Sequence, residues 1–310
     1  MCALKLYCKL SCGICRCSAH QVGRVALVTG ANSGLGLALA TDLAERGARV
    51  LLACRSLTRA RQAKDLILAR APHADVVCLQ LDLADLTSVR RLAERVRDSE
   101  QRLDIFVNNA AAVGLGNKKT EDGLLAGMQV NYFGPFLLTC LLLPLLKRSK
   151  SSRIINVSSN FYTKGNIDMD NLNFDKPDTF NEVQVYANSK LCGILMGVEL
   201  SRRLEGSNVT INSLHPGAVD SDVMRSINGQ VHARVIATIM RLFYKNVWEG
   251  VQTAVYLAVS PDVQNISGKF FIDCQERHTS LVAQDAELAK RLWMESKKLV
   301  KLKEDDGVLL

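Results

Sequence analysis

Residues 25–36 read Val-Ala-Leu-Val-Thr-Gly-Ala-Asn-Ser-Gly-Leu-Gly. The first five are apolar and β-rich, which predicts a short buried strand ending at Thr29. The next seven are glycines and small residues, and an apolar-periodic helix is predicted over 37–46. Glycine is needed where a chain turns sharply off a strand and where its backbone must closely approach an anion. A helix opening at that point offers unpaired N–H groups and a partial positive charge to a phosphate. A glycine triplet alone is weak evidence, and a merely tight connection is the plain alternative. The strand before it and the helix after it favour a pyrophosphate cradle at the first βα unit.

Outward from that turn, strand and helix patterns alternate along the chain. Short β-rich runs recur at 49–53, 76–81, 105–108, 153–157, 210–214 and 269–272, with apolar residues at helical spacing between them, as in Leu86, Val89, Leu92, Ala93 and Val96. Alternation of this kind needs right-handed crossovers and predicts a doubly wound, mostly parallel α/β sheet, Rossmann-like, of about seven strands. No linker or repeat interrupts it, so a single domain is expected over 24–280. Residues 1–23 read as a basic, cysteine-rich leader, and 281–310 as an amphipathic helix and tail with Leu288, Leu292 and Leu299 on one face. The apolar run 136–146 contains Pro144 and is too short to span a bilayer, which predicts a core helix.

Hydrophobic residues make up 48% and aromatic residues 5% of the 310, an aliphatic core suited to a sheet buried on both faces. The formal charge of +8 is spread over helices with acidic neighbours, and no aromatic-interleaved basic stripe marks a nucleic-acid surface. An anionic cofactor or an anionic membrane surface accounts for it more simply. Five of the ten cysteines lie in the first 17 residues. Beside lysines they are candidates for acylation, which would attach the chain peripherally to a membrane. A zinc site from Cys8, Cys12, Cys15, Cys17 and His20 is the alternative, against which their tight, irregular spacing speaks. The other cysteines sit singly in apolar runs, as buried thiols of a reducing compartment do. The sequons at Asn156, Asn208 and Asn265 are read as unused, Asn156 because it lies in a strand.

Two features bear on chemistry. The second strand ends Ala53-Cys54-Arg55. An acidic residue there would take the ribose 2′-hydroxyl of NAD, whereas Arg55 can pair with the 2′-phosphate of NADP; an arginine merely exposed at a loop is the alternative. Further on, Tyr186-Ala187-Asn188-Ser189-Lys190 places a phenol and an ammonium one helical turn apart on one face. A phenol is a poor acid or base at neutral pH, and a neighbouring ammonium should lower its pKa toward working range. Alone, such a pair is common on exposed helices.

With these residues the chain resembles the classical short-chain dehydrogenase/reductase family. The resemblance covers roughly 22–275 and rests on the Thr29–Gly36 turn, Asp82 after the third strand, Asn108-Asn109-Ala110 after the fourth, Asn131 in a central helix, Ser159 after the fifth, Tyr186 with Lys190, and Pro216-Gly217 after the sixth. It implies Tyr186 as general acid/base at the reacting oxygen. Lys190 would tune it and bind the nicotinamide ribose, Ser159 would position the carbonyl, and Asn131 would hold a water that relays protons from Lys190. Gly30, Asn32, Ser33, Gly34, Leu35, Gly36, Arg55, Asp82, Leu83, Asn109, Pro216, Gly217, Val219 and Ser221 would line an NADP(H) site, with NAD the lesser choice. Ser159 is preferred to Ser158, whose side chain should point the other way along the strand.

The long gap between Ser159 and Tyr186, the Ala-Cys-Arg strand end, Val130-Asn131-Tyr132-Phe133-Gly134-Pro135-Phe136 and Arg291-Leu292-Trp293 look like the retinol dehydrogenase-like branch. That likeness implies an alcohol–aldehyde or alcohol–ketone interconversion on a retinoid, steroid or other lipid carbonyl. It also implies a place on the cytoplasmic side, soluble or peripherally attached to an intracellular membrane, and a homodimer. The apolar stretch 231–244 is expected to write part of the substrate wall, with core packing as its alternative; His215 and His232 are expected to be structural. The family usually has Asn-Asn-Ala-Gly where this chain has Asn-Asn-Ala-Ala, which keeps a small residue at the cofactor. A nucleotide-binding scaffold or sensor without turnover is the rival class, disfavoured by the intact Ser159, Tyr186, Lys190 and Asn131.

Overall fold

The computed structural model describes residues 12–219 and 245–303. Ser221, the stretch 231–244 with His232, and Cys2 and Cys8 lie outside the described residues. Along the chain run β1 (Val25–Thr29), α1 (Gly34–Glu45), β2 (Arg49–Cys54), α2 (Leu57–Arg70), β3 (Val76–Gln80), α3 (Leu86–Ser99) and β4 (Ile105–Asn108). They continue with α4 (Ala126–Arg148), β5 (Ser152–Val157), α5 (Glu182–Arg203), β6 (Val209–His215), α6 (Val247–Val259), β7 (Phe270–Ile272), β8 (Gln275–Glu276) and α7 (Ala286–Leu299).

The strand order is β3-β2-β1-β4-β5-β6-β7-β8, parallel through β7, with β8 turning back antiparallel. The chain winds outward from β1 in one direction and then, from β4, in the other. The crevice between the C-terminal ends of β1 and β4 is therefore the topological switch point, where such sheets bind ligands. Both sheet faces are covered. Leu27, Phe106 and Ile154 face α3, α4, α5 and α7, while Val28, Val107 and Ile155 face α1, α2 and α6. That is why the strands read as continuous apolar runs.

Helix α4 is long and apolar enough by composition to cross a membrane, but 89% of its apolar window is buried in the protein. It is a core helix. Pro144 lies inside it, and a π turn over Gln129–Phe133 breaks its regular register. α7 completes that layer. Leu292 and Trp293 are buried, Phe136 meets the Trp293 ring edge-on at 4.9 Å, and the Tyr132 and Ser296 hydroxyls are 2.7 Å apart. The segment 12–22 runs along the domain: the Cys15 N–H donates to Gln252 Oε1 (3.1 Å), and Arg46 holds the carbonyls of Cys17 (2.8 Å) and Ala19 (3.1 Å).

Candidate active site

The turn after β1 is built for a close backbone approach. Gly30 (φ 65°) and Gly34 (φ 54°) occupy the left-handed region that other residues avoid. A Cβ on Gly36 would lie 2.5 Å from both the Gly30 carbonyl and Asn109 Nδ2. Asn109 ties the turn to β4 by donating from Nδ2 to the Thr29 carbonyl at 2.8 Å. The Thr29 hydroxyl donates to the Val107 carbonyl and accepts the N–H groups of Asn109 (2.9 Å) and Ala110 (3.0 Å), so its hydrogen-bonding capacity is filled. α1 opens at Gly34 after Ser33, whose side chain makes no cap hydrogen bond. Amide donors of the first turn are thus left for an anion, and a nicotinamide dinucleotide fits this cradle.

Around the cradle, Gly30 N–H donates to the Ala53 carbonyl (2.8 Å), which brings the end of β2 and exposed Arg55 alongside the turn. The buried Cys54 thiol sits beneath it, pushed up to about 11 by burial and partly offset by the amides of Ala31 and Asn32. Asp82 Oδ1 accepts the Ala84 N–H at 2.9 Å, and Leu83 is buried against α4. Val219 packs over Leu35 and Gly250, and Gly217 (φ 89°) lies against the Lys245 side chain. Val219 forms an isolated parallel bridge with Lys245, whose ammonium pairs with Asp273. The backbone of Gly13 crosses close over Asp273, with no room for a side chain.

The reacting end lies across the sheet. Ser159 follows β5 and Tyr186 lies in the first turns of α5, with the Ser159 hydroxyl close enough to the phenol to act on its titration. Ser158 points inward and donates to the Lys190 carbonyl at 3.2 Å. Lys190 is buried; its Nζ lies 5.5 Å from the Tyr186 ring centroid and donates to the Val157 carbonyl at 2.9 Å. Burial pushes the Tyr186 phenol above its ordinary value and the Ser159 hydrogen bond pulls it partly back, while burial brings the Lys190 ammonium down to about 8.

Asn131 stands in the π turn of α4, with both ends of its side-chain amide on Ala112: Oδ1 accepts the N–H and Nδ2 donates to the carbonyl, each at 2.8 Å. Asn131, Lys190, Asn108, Asn156 and Ser158 line a cavity of about 20 Å³. That is room for one water molecule. Asn108 Oδ1 is buried there without a protein partner, an acceptor such a water would satisfy.

Two supports join residues distant in sequence: Asn188, which nothing in the spacing marks, and His215, expected above to be structural. Asn188 grips the Asn166 backbone at both ends (2.8 and 2.9 Å), fixing the loop before α5. His215 Nδ1 accepts the Asn160 N–H at 3.3 Å, anchoring the turn that follows Ser159. Burial first, then the Lys245 charge, depress His215 to about 4. Its folded value lies below the unfolded one, so its contribution is full above about 6.5 and lost as pH falls toward 4. Between pH 7 and pH 5 this single group should remove roughly 1–2 kcal/mol of stability. His215→Asn should flatten that part of the pH dependence in urea unfolding; an unchanged slope would show that His215 is not held neutral.

A glycine cradle at the switch point of a parallel sheet, facing a serine–tyrosine–lysine cluster, defines an oxidoreductase that uses a nicotinamide dinucleotide. The model of the family described as short chain dehydrogenase matches residues 24–171. The chain belongs to the short-chain dehydrogenase family. Retinol dehydrogenase 14 of Mus musculus is 43% identical over 282 residues, covering 87% of this chain and 84% of that protein. Among solved structures, an uncharacterized protein from Mycobacterium Paratuberculosis superposes with a TM-score of 0.72 at 31% identity, over 91% of this chain and 95% of its own. The Pseudomonas aeruginosa RhlG/NADP active-site complex does so with a TM-score of 0.65 at 26% identity, over 81% and 95%.

Proposed function

We propose that the chain is an NADP(H)-dependent dehydrogenase/reductase that interconverts an alcohol and an aldehyde or ketone on a lipophilic molecule of the retinoid, steroid or lipid-carbonyl class. The observation that carries the reading is Tyr186 with Lys190 buried beneath its ring, 5.5 Å from the centroid, beside Ser159 at the carboxyl end of the sheet. When bound, a nicotinamide would supply or accept the hydride here. Tyr186 gives its hydroxyl proton to the reacting oxygen during reduction and takes it back during oxidation. Ser159 donates to the same oxygen and fixes its direction. Lys190 reprotonates Tyr186, and Asn131 holds the water of the small cavity through which Lys190 recovers its proton. The Gly30–Gly36 turn with Asn32, Ser33 and Leu35 carries the pyrophosphate. Asp82 and Leu83 border the adenine, and Asn109, Pro216, Gly217 and Val219 border the nicotinamide half.

A lipophilic substrate is supported by the relative whose name is retinol dehydrogenase. The eight described cysteines are free thiols, which favours a reducing compartment on the cytoplasmic side, with the N-terminal segment as the point of peripheral membrane attachment. The test follows cofactor absorbance at 340 nm (roughly, the reduced nicotinamide band) with retinoid, steroid and short-chain carbonyls. No turnover with any of them would return the chain to a cofactor-binding scaffold.

NADP is preferred to NAD because Arg55 projects from the end of β2 beside the cradle, where a guanidinium meets a 2′-phosphate. Arg55→Asp should lower the NADP/NAD ratio of kcat/KM by about 10- to 100-fold, the worth of one or two charge-assisted hydrogen bonds. An unmoved ratio would assign the 2′-phosphate to another residue.

A further inference from the structure

After Ser159 the chain makes a short turn, Asn160–Lys164, and treats its two aromatic residues in opposite ways. Tyr162 is 5% exposed; its ring packs edge-on against Phe270 at 5.3 Å, and its hydroxyl accepts the Ser280 N–H at 3.2 Å. Phe161 is 51% exposed, and its ring meets the Tyr186 ring edge-to-face at 6.0 Å and 70°. The turn is stiff. His215 takes the Asn160 N–H, the Thr163 hydroxyl donates to the Asn160 carbonyl (2.8 Å), and Gly165 N–H donates to the Tyr162 carbonyl (2.9 Å). Gly165 is itself wedged so tightly that a Cβ would lie 2.9 Å from Leu191. With Tyr162 anchored below, the backbone that carries Phe161 is fixed beside Tyr186.

A single exposed apolar side chain is ordinary on a protein surface. Phe161 differs in its location. It is a rigid aromatic surface held in water within ring contact of the phenol that addresses the reacting oxygen. A molecule whose oxygen sits between Ser159 and Tyr186 must run its next carbons past this ring. We infer that Phe161 is a specificity-determining residue: its free surface is the apolar wall against which the unsaturated or cyclic carbon body of the substrate lies, so that long conjugated carbonyls are selected over short saturated ones. The inference rests on the lipophilic-substrate reading above and names the residue that enforces it.

The test compares kcat and KM for retinaldehyde and for propanal in the wild type, Phe161→Ala and Phe161→Trp. The wild type should favour retinaldehyde. Phe161→Ala should cut the retinaldehyde/propanal ratio of kcat/KM by about tenfold, through KM for retinaldehyde more than through kcat, because the lost term is apolar contact with the bound body. Phe161→Trp, which restores an aromatic wall, should recover most of the ratio. A ratio that Phe161→Ala leaves intact overturns the inference while the lipophilic reading stands. An equal loss for both aldehydes, carried by kcat, overturns it too, since Phe161 would then only support Tyr186. A wild type indifferent between the two aldehydes sinks the lipophilic reading itself.

Discussion

Tyr186→Phe should lower kcat by about 10²- to 10⁴-fold, the range that a positioned general acid supplies. The substitution is close to surgical. Phenylalanine keeps the ring that meets Phe161 edge-on and that lies over the Lys190 ammonium, and it removes one oxygen. Cofactor affinity should change little, because the pyrophosphate cradle lies at the other end of the crevice, on β1 and α1. The measurements are kcat from nicotinamide absorbance and cofactor Kd from fluorescence quenching. Full activity in the variant would mean that the proton reaches the substrate by another route. Ser159 would then be the first group to examine, since its hydroxyl stands beside that phenol.

Phe136→Ala should destabilise the fold by about 3–5 kcal/mol, the usual consequence of emptying an aromatic site that cannot collapse. Phe136 is 0% exposed, meets Trp293 at 4.9 Å and has the Tyr132 ring at 6.0 Å. Two elements therefore share one cavity wall: α4, through its π turn as well as Phe136, and α7. Trp293 is a built-in reporter, being buried while the other tryptophan, Trp248, is 57% exposed. Urea unfolding followed by Trp293 emission checks the number. A loss below about 1 kcal/mol would show that α7 does not seal this layer.

The alternating strands were readable because a parallel sheet buried on both faces leaves long apolar runs, and the structure ends each strand within a residue or so of the expected place. β8 escaped notice because two exposed residues, Gln275 and Glu276, carry no periodicity; their pairing with β7 comes from the tight turn at Asp273 and Cys274 (φ 55° and 58°). At the site, Tyr186 and Lys190 were legible from helical spacing, and the glycine turn from its context. The helix start was not. α1 opens at Gly34 rather than at Leu37, because glycines inside the first turn look like loop in any propensity scale. Equally hidden was the electrostatic state of the pair. Spacing says that an ammonium lies near a phenol, whereas burial, which shifts the ammonium down and the phenol up, is a property of the assembled layers. Asn188 and the partner of His215 were opaque for the same reason, since each side chain acts on a backbone group distant in sequence.

The bridge between Val219 and Lys245, locked by the ion pair to Asp273, joins the two feet of everything the chain inserts after β6. The chain leaving β6 and the chain entering α6 are thereby fastened to one another and, through Asp273, to the turn that follows β7. A single carboxylate thus anchors two strand ends that sequence separation alone would leave independent.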